Sequence, residues 1–249
     1  MPEDFPVVQS EDSMLNNIRQ SIPLHDAKDF HGIVDVSNES EDNLVKCGGD
    51  LYTSVGLLKD EISGSDGTAF IISISNRYIL TASHVVEGGQ YFSFTLNMPD
   101  GFVTVPAHLL WTNPLHDMAL LQVDNLPQNA KRLSFDTVTP RDPGCNIQIA
   151  AYPLGGKLSG DRMILTQGVI GNYERNCSIK NENGITRIFD AIRTEAQATY
   201  GSSGGPVMLT ENFGVIGILH GGIKENGFSL NVVTDITQLF FDESLNVNI

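Results

Sequence analysis

The sequence predicts an all-β fold made of two consecutive barrels, and three observations carry that reading. From about residue 52 onward the chain is a succession of short β-type runs: "TAFIISIS", "YFSFTL", "NIQIAAY", "MILTQGVIG", "FGVIGIL" and "FSLNVV". Between them stand "NMPDG", "RDPG", "NENG" and "KENG", whose Asn, Asp, Pro and Gly supply turn geometry. No long stretch of helical period interrupts, so strands do not alternate with helices and a parallel βαβ architecture is excluded. About 200 residues of this texture exceed what one small barrel holds, and two barrels joined near "NLPQNAKRLSFD" fit the length.

Taken in order, residues 1–49 read as an acidic N-terminal extension. Ser10 is placed to cap a short helix across "EDSMLNNIRQSI", with Met14 and Ile18 four apart on one face and Pro23 just past its end. The following "VDVSNESEDN" is polar and acidic and reads as mobile. The first barrel is assigned to residues 50–130. In its "TAFIISIS" run, period-two alternation puts Thr68, Phe70, Ile72 and Ile74 on one face, and "YFSFTL" groups Phe92, Phe94 and Leu96. The second barrel takes 131–249 and ends in "TDITQLFFDESLNVNI", read as a short C-terminal helix packed on it.

Composition narrows the partners. The 249 residues hold 15 Lys+Arg against 30 Asp+Glu, a net charge of −15, which repels nucleic acid and anionic membrane. The acidity is lopsided, since residues 1–61 carry 13 acids and 4 bases. No run of about 18 apolar residues is present to span a membrane. The acidic start, Met-Pro-Glu-Asp-Phe, lacks the basic-then-apolar layout of a secretory leader, so a cytoplasmic location is expected. Cys47, Cys145 and Cys177 are odd in number and widely spaced, which suits neither a disulfide framework nor a zinc site. His25, His31, His108 and His116 have no metal-ligand spacing either, so no metal and no cofactor is expected.

Three segments carry chemistry. "ILTASHVV" puts His84 directly after an apolar strand, "HDMALLQV" puts Asp117 just before another, and "YGSSGGPV" sets serine among glycines. Singly, each has a structural explanation: a bonded histidine, a turn aspartate, a glycine turn. Together they supply the parts of an activated serine, in which an imidazole takes the hydroxyl proton and a buried carboxylate fixes the imidazole. Separations of 33 and 86 residues are no obstacle, because such a site is assembled in space.

"TASHVV", "HDMALL" and "GSSGGPV" resemble the three signature blocks of the chymotrypsin-like (trypsin-fold) serine endopeptidases. The likeness is closest to the branch holding the HtrA/Deg proteases and the glutamyl endopeptidases, and it runs over roughly residues 52–240. It implies two six-stranded antiparallel barrels. It also implies catalytic His84, Asp117 and Ser203, with the backbone amides of Gly201 and Ser203 as the oxyanion hole. Ser202 falls at the variable position of Gly-x-Ser-Gly-Gly, where digestive relatives carry an aspartate that captures a new N-terminus. Serine cannot make that ion pair, so activation by cleavage is not expected and the N-terminal arm is free to be long.

By the same resemblance, Gln197 lies at the floor of the specificity pocket, with Ala198 and Thr199 leading to the serine. Leu219, His220 and Gly221 lie on the strand that pairs with substrate, His220 as a wall residue. Glu195 is read as structural. Without a carboxylate at 197 a preference for Arg or Lys is not implied, and small or apolar residues rank ahead of acidic ones. HtrA proteases usually continue into a PDZ domain, for which this chain has no room. The expected function is a serine endopeptidase acting on polypeptides through an acyl-enzyme, with a regulatory partner docking on the acidic arm. The alternatives are a narrow processing protease for one partner and a protease-fold binding module that does not cut.

Overall fold

The computed structural model describes residues 32–35, 39–157, 162–180, 184, 186–225, 228–242 and 245–248. The helix expected around residues 10–22, and His25 and His31, lie outside the described residues. Two closed six-stranded barrels make up the body. The first is formed by β2 (Val55–Asp60), β3 (Asp66–Ser73), β4 (Tyr78–Thr81), β5 (Phe92–Met98), β6 (Gly101–Asn113) and β7 (Met118–Val123), in the order β2-β3-β4-β7-β6-β5. The second is formed by β8 (Asn146–Ala151), β9 (Ile164–Lys180), β10 (Thr186–Thr194), β11 (Pro206–Leu209), β12 (Val215–Glu225) and β13 (Phe228–Asp235), in the order β10-β13-β12-β11-β8-β9. Neighbouring strands within each barrel run antiparallel, and closure leaves neither with an open sheet edge around its circumference.

Alternation decides what each strand buries. On β3, Ala69 and Ile71 point into the first barrel, while Phe70 and Ile72 point outward into a cluster shared with the second. That shared layer joins Phe70, Leu80, Met118 and Leu120 to Tyr152, Met208 and Ile218. Because β3 is covered on both faces it reads as a nearly continuous apolar run, and Thr68 sits among its buried residues. On β5, Phe92, Phe94 and Leu96 fill the interior of the first barrel. Ile147, Ile149, Val207, Ile216 and Val233 fill the second.

Two segments differ from the sequence expectation. Part of the segment read as mobile is ordered: β1 (Gly32–Asp35) pairs in parallel with β14 (Leu245–Asn248), so the two ends of the described chain form a two-stranded sheet. Glu39 then docks on the β3–β4 turn, accepting from the Ile74 and Ser75 amides at 3.0 and 3.1 Å and pairing with Arg132 at 3.4 Å. At the other end, the helical part is a six-residue 3-10 segment, Ile236–Phe241, capped by the Asp235 side chain. The chain beyond it turns back as β14 instead of continuing the helix. Among the described residues no helix is long and apolar enough to cross a membrane.

Candidate active site

Histidine, aspartate and serine converge where the barrels meet. His84 lies on α1 (Ser83–Val86), the single helical turn after β4. Asp117 closes the turn between β6 and β7 with φ of 55°, a left-handed conformation that Asp tolerates better than most residues. It is a turn former and a site residue at once. Asp117 is 1% exposed, and its side chain accepts from the Ser83 hydroxyl at 2.9 Å and the His84 amide at 3.0 Å. The His84 ring closes the contact, Nδ1 lying 2.8 Å from Oδ2. An ionised carboxylate only accepts, so Nδ1 carries the proton and Nε2 of neutral His84 keeps its lone pair.

A second imidazole shares that carboxylate. His220 Nδ1 is also hydrogen-bonded to Asp117 Oδ2, its ring centroid 5.3 Å from that of His84 and edge-on to it. The sequence reading put His220 on the pocket wall; its ring turns to the carboxylate instead. The physical reason is a β-bulge: the β12–β13 register shifts between Leu219 and Gly221, and the residue in between is re-aimed. Arg187 completes the surround. It is 3% exposed, with Nε 3.3 Å from Asp117 Oδ1 and a terminal nitrogen 3.6 Å from Glu87. Arg187 Nε makes no hydrogen bond, so its contact with Asp117 is one of charge. Burial pushes the Asp117 carboxyl up, but the charge and hydrogen bonds of His84 and His220 outweigh it and hold the group well below the usual carboxylate range. The ring nitrogens of His84 and His220 and the carboxylate fall within 4.8 Å of one another. They are satisfied by mutual hydrogen bonds, and the neighbouring guanidinium opposes any added cation there.

Ser203 lies in the loop that leads into β11. Its hydroxyl donates to the His220 carbonyl at 3.1 Å and makes no hydrogen bond to the His84 ring among the described contacts. The loop is fixed from both barrels. Thr68 of β3 donates its hydroxyl to the Gly201 carbonyl at 2.8 Å and accepts from the Tyr152 amide at 3.0 Å, and its own amide donates to the Ser203 carbonyl at 2.8 Å. The Leu154 amide donates to the Tyr200 carbonyl at 2.6 Å. In a trans peptide the N–H opposes the C=O, so this bond also sets the direction of the Gly201 N–H. Neither the Gly201 nor the Ser203 amide donates a hydrogen bond among the described residues, so both are available to an anion. Gly201 has φ of 82°, and a Cβ there would lie 2.6 Å from the Tyr152 carbonyl oxygen and 2.8 Å from the Leu154 nitrogen. Both facts require glycine. Ser202 is buried and turned away, its hydroxyl accepting from the Thr199 amide at 3.3 Å.

The remaining residues expected at the pocket divide. Gln197 is exposed, its carbonyl held by the Thr166 hydroxyl at 2.9 Å. Ala198 packs against the second-barrel core and Thr199 is exposed. Gly221 faces open space where a side chain would stand. Leu219 is not a lining residue: it is 1% exposed in the barrel core, and its amide and carbonyl are used by Gly205 and Gly204 at 2.9 and 2.8 Å. Glu195 accepts from the Val169 amide at 3.2 Å and braces β9. His116 is half-buried and bonded to Asn113, while His108 is exposed and paired with Asp124. All three cysteines are free, and burial pushes the Cys177 thiol up to about 11, away from nucleophilic use.

Sequence reasoning missed Arg187, Thr68 and Leu154. A signal existed for two of them. Period-two alternation puts Arg187 on one face with Phe189 and Ala191, and a buried guanidinium there requires a carboxylate partner. Thr68 shares its face with Phe70 and Ile72, so its hydroxyl needs a buried acceptor.

The chain belongs to the trypsin-like peptidase domain family, whose model matches residues 67–218 and so spans His84, Asp117 and Ser203. Among its relatives is the serine protease Do-like HtrA of Bacillus subtilis (strain 168), 32% identical over 169 residues, or 68% of this chain and 36% of that protein. Serine protease Do-like HtrB of the same organism is 29% identical over 65% of this chain and 33% of that protein. The chain thus spans about a third of the length of these relatives. Among solved structures, the active form of the Rv3671c protease from M. tuberculosis superposes with a TM-score of 0.63 at 23% identity, over 76% of this chain and 78% of that one. An HtrA-type protease, AlgW, with a bound tripeptide gives 0.61 at 24% identity over 75% of this chain and 57% of that one. These likenesses show the fold.

Proposed function

We propose that the protein is a serine endopeptidase that cleaves polypeptides through an acyl-enzyme. The observation that carries this reading is the buried Asp117 carboxylate bonded to His84 Nδ1 at 2.8 Å, which leaves Nε2 of that ring with its lone pair, able to act as a base. Ser203 Oγ attacks the scissile carbonyl while His84 takes its proton and then delivers it to the leaving amine. The oxyanion is received by the Gly201 and Ser203 amides, each such donor contributing on the order of 3–4 kcal/mol to the transition state. Water then attacks the acyl-enzyme with His84 again as base, restoring Ser203.

For the attack, the Ser203 hydroxyl must leave the His220 carbonyl and rotate toward His84. An extended peptide adding to β12 beside Gly221 competes for that same carbonyl with its own backbone N–H, so substrate arrival favours the turn. The open space over Gly221 and the lack of a carboxylate at Gln197 suit a small or apolar side chain before the cleaved bond. The rotated Ser203 hydroxyl favours one second reading, a binding module that holds a peptide without cutting it.

A fluorophosphonate probe distinguishes the two. Labelling of the wild-type chain that is lost in Ser203→Ala and His84→Ala supports the enzyme. A folded wild-type protein that takes no label at any pH, with or without peptide, overturns it.

A further inference from the structure

The two oxygens of Asp117 have different neighbours. Oδ2 makes the shorter contact with His84 Nδ1, 2.8 Å against 3.1 Å for Oδ1, and also accepts from His220 Nδ1. Oδ1 accepts from the Ser83 hydroxyl and the His84 amide and faces the Arg187 guanidinium, with Nε at 3.3 Å. The mechanism above leaves Arg187 without a task. We propose that Arg187 is a positioning residue for the cleavage reaction, its charge drawing Oδ1 to one side and so holding Oδ2 on His84 Nδ1. This rests on the reading of His84 as the general base.

A carboxylate turns readily about its last side-chain bond, so its neighbours must set its orientation. With both imidazoles neutral, every hydrogen-bond donor to Asp117 is neutral. Among the described residues Arg187 then carries the only formal positive charge in ion-pair contact with the carboxylate. Both partners are buried, Asp117 at 1% exposed and Arg187 at 3%, so solvent screens their attraction little. Arg187 Nε makes no hydrogen bond, and the guanidinium therefore acts on Oδ1 through its charge. On its other side a terminal nitrogen of Arg187 lies 3.6 Å from Glu87, three residues after His84. One guanidinium thus stands between the turn that carries Asp117 and the segment that carries His84.

The strand that supplies it belongs to the other barrel. His84 and Asp117 come from the first barrel, and Arg187 comes from β10 of the second. The next residue, Ile188, donates its amide to the Leu115 carbonyl at 3.0 Å, two residues before Asp117. The one after that, Phe189, has its ring centroid 5.5 Å from that of His220. Three successive residues of β10 brace the cluster by charge, by a backbone hydrogen bond and by ring packing. The orientation of a first-barrel pair is therefore tied to the docking of the second barrel. Of the three braces, the charge is the one that a side-chain substitution removes while leaving the backbone bond in place.

Arg187→Met and Arg187→Lys separate charge from packing. Methionine fills much of the space with a flexible apolar chain and carries no charge. Lysine returns the charge, and it should suffice because the contact is neither a bidentate hydrogen bond nor a ring stack. The first measurement is the NMR signal of the His84 Nδ1–H proton in the full chain carrying Ser203→Ala, which reads the carboxylate contact whether or not the protein cuts anything. That signal should be lost in R187M and return in R187K. The second is the fluorophosphonate labelling rate with Ser203 intact, which should fall about 10- to 100-fold in R187M and recover to within about threefold of wild type in R187K. A merely structural role would lower Tm in both variants and leave the Nδ1–H signal and the labelling rate of the folded protein unchanged. That result, or a lysine variant no better than the methionine one, overturns the proposal. Should R187M fail to fold, the double variant Asp117→Asn, Arg187→Met decides. A folded double variant shows that the guanidinium answers the carboxylate, and an unfolded one assigns Arg187 to packing and overturns the proposal. Absence of any labelling in the wild-type chain instead refutes the endopeptidase reading, and the NMR signal still decides the role of Arg187.

Discussion

Thr68→Val tests whether the oxyanion loop is held in place from the opposite barrel. The substitution keeps shape and burial, and it removes one hydroxyl that is 0% exposed. That hydroxyl donates to the Gly201 carbonyl and accepts from the Tyr152 amide, so valine strands one buried acceptor and one buried donor. Each costs about 1–3 kcal/mol, or about 4 kcal/mol for the pair at mid-range. For a chain of this size such a loss lowers Tm by about 8–16 °C. The Gly201 carbonyl also loses its anchor; it lies between the Gly201 and Ser203 amides proposed to receive the oxyanion, so the loop that spaces them loosens and the labelling rate should fall by more than about tenfold. Differential scanning calorimetry and fluorophosphonate kinetics on the same samples read both effects, and Thr68→Ser should restore most of each. A T68V protein with a Tm within about 2 °C of wild type and an unchanged labelling rate would show that the loop holds its shape without this bond.

Two further outcomes follow from the same geometry. Gly201→Ala brings a Cβ within 2.9 Å of three backbone atoms at φ of 82°, so it should displace the loop and reduce kcat/KM for a peptide substrate by about 100- to 1000-fold; calorimetry separates this from general unfolding. The folded-state carboxyl of Asp117 lies below its ordinary value, so ionised Asp117 stabilises the fold fully above about pH 4 and loses that contribution as pH falls through the depressed value. Asp117→Asn should therefore flatten the decline in Tm between about pH 5 and pH 2, and an equally steep decline would refute this role.

What the sequence made legible were the parts whose chemistry is local. The blocks around His84, Asp117 and Ser203 had to carry their neighbours with them, because a helical turn, a left-handed aspartate and two glycines at φ of 82° are needed in those places. Strand faces were equally readable: Thr68, Phe70 and Ile72 share a side by period two, as do Phe92, Phe94 and Leu96. Within the arm, the stretch 34–43 reads as mobile because its composition is polar and acidic. Its order depends on partners far along the chain, Gly32–Asp35 on Leu245–Asn248 and Glu39 on the β3–β4 turn and Arg132.

His220 shows why the rest stayed hidden. Its position in "GILHGG" is visible, but its direction is set by a bulge, and one extra residue in a strand pair reverses which side a residue faces. Nothing in a period-two pattern marks that step, so the histidine was assigned to the peptide groove when its ring lies on the carboxylate. The same residue gives its carbonyl to the Ser203 hydroxyl, so two groups of one bulged position touch both the Asp117 carboxylate and the Ser203 hydroxyl. A substitution at 220 that spares the backbone can alter only the carboxylate end. A peptide pairing with the strand acts on the carbonyl end. The two perturbations are therefore separable.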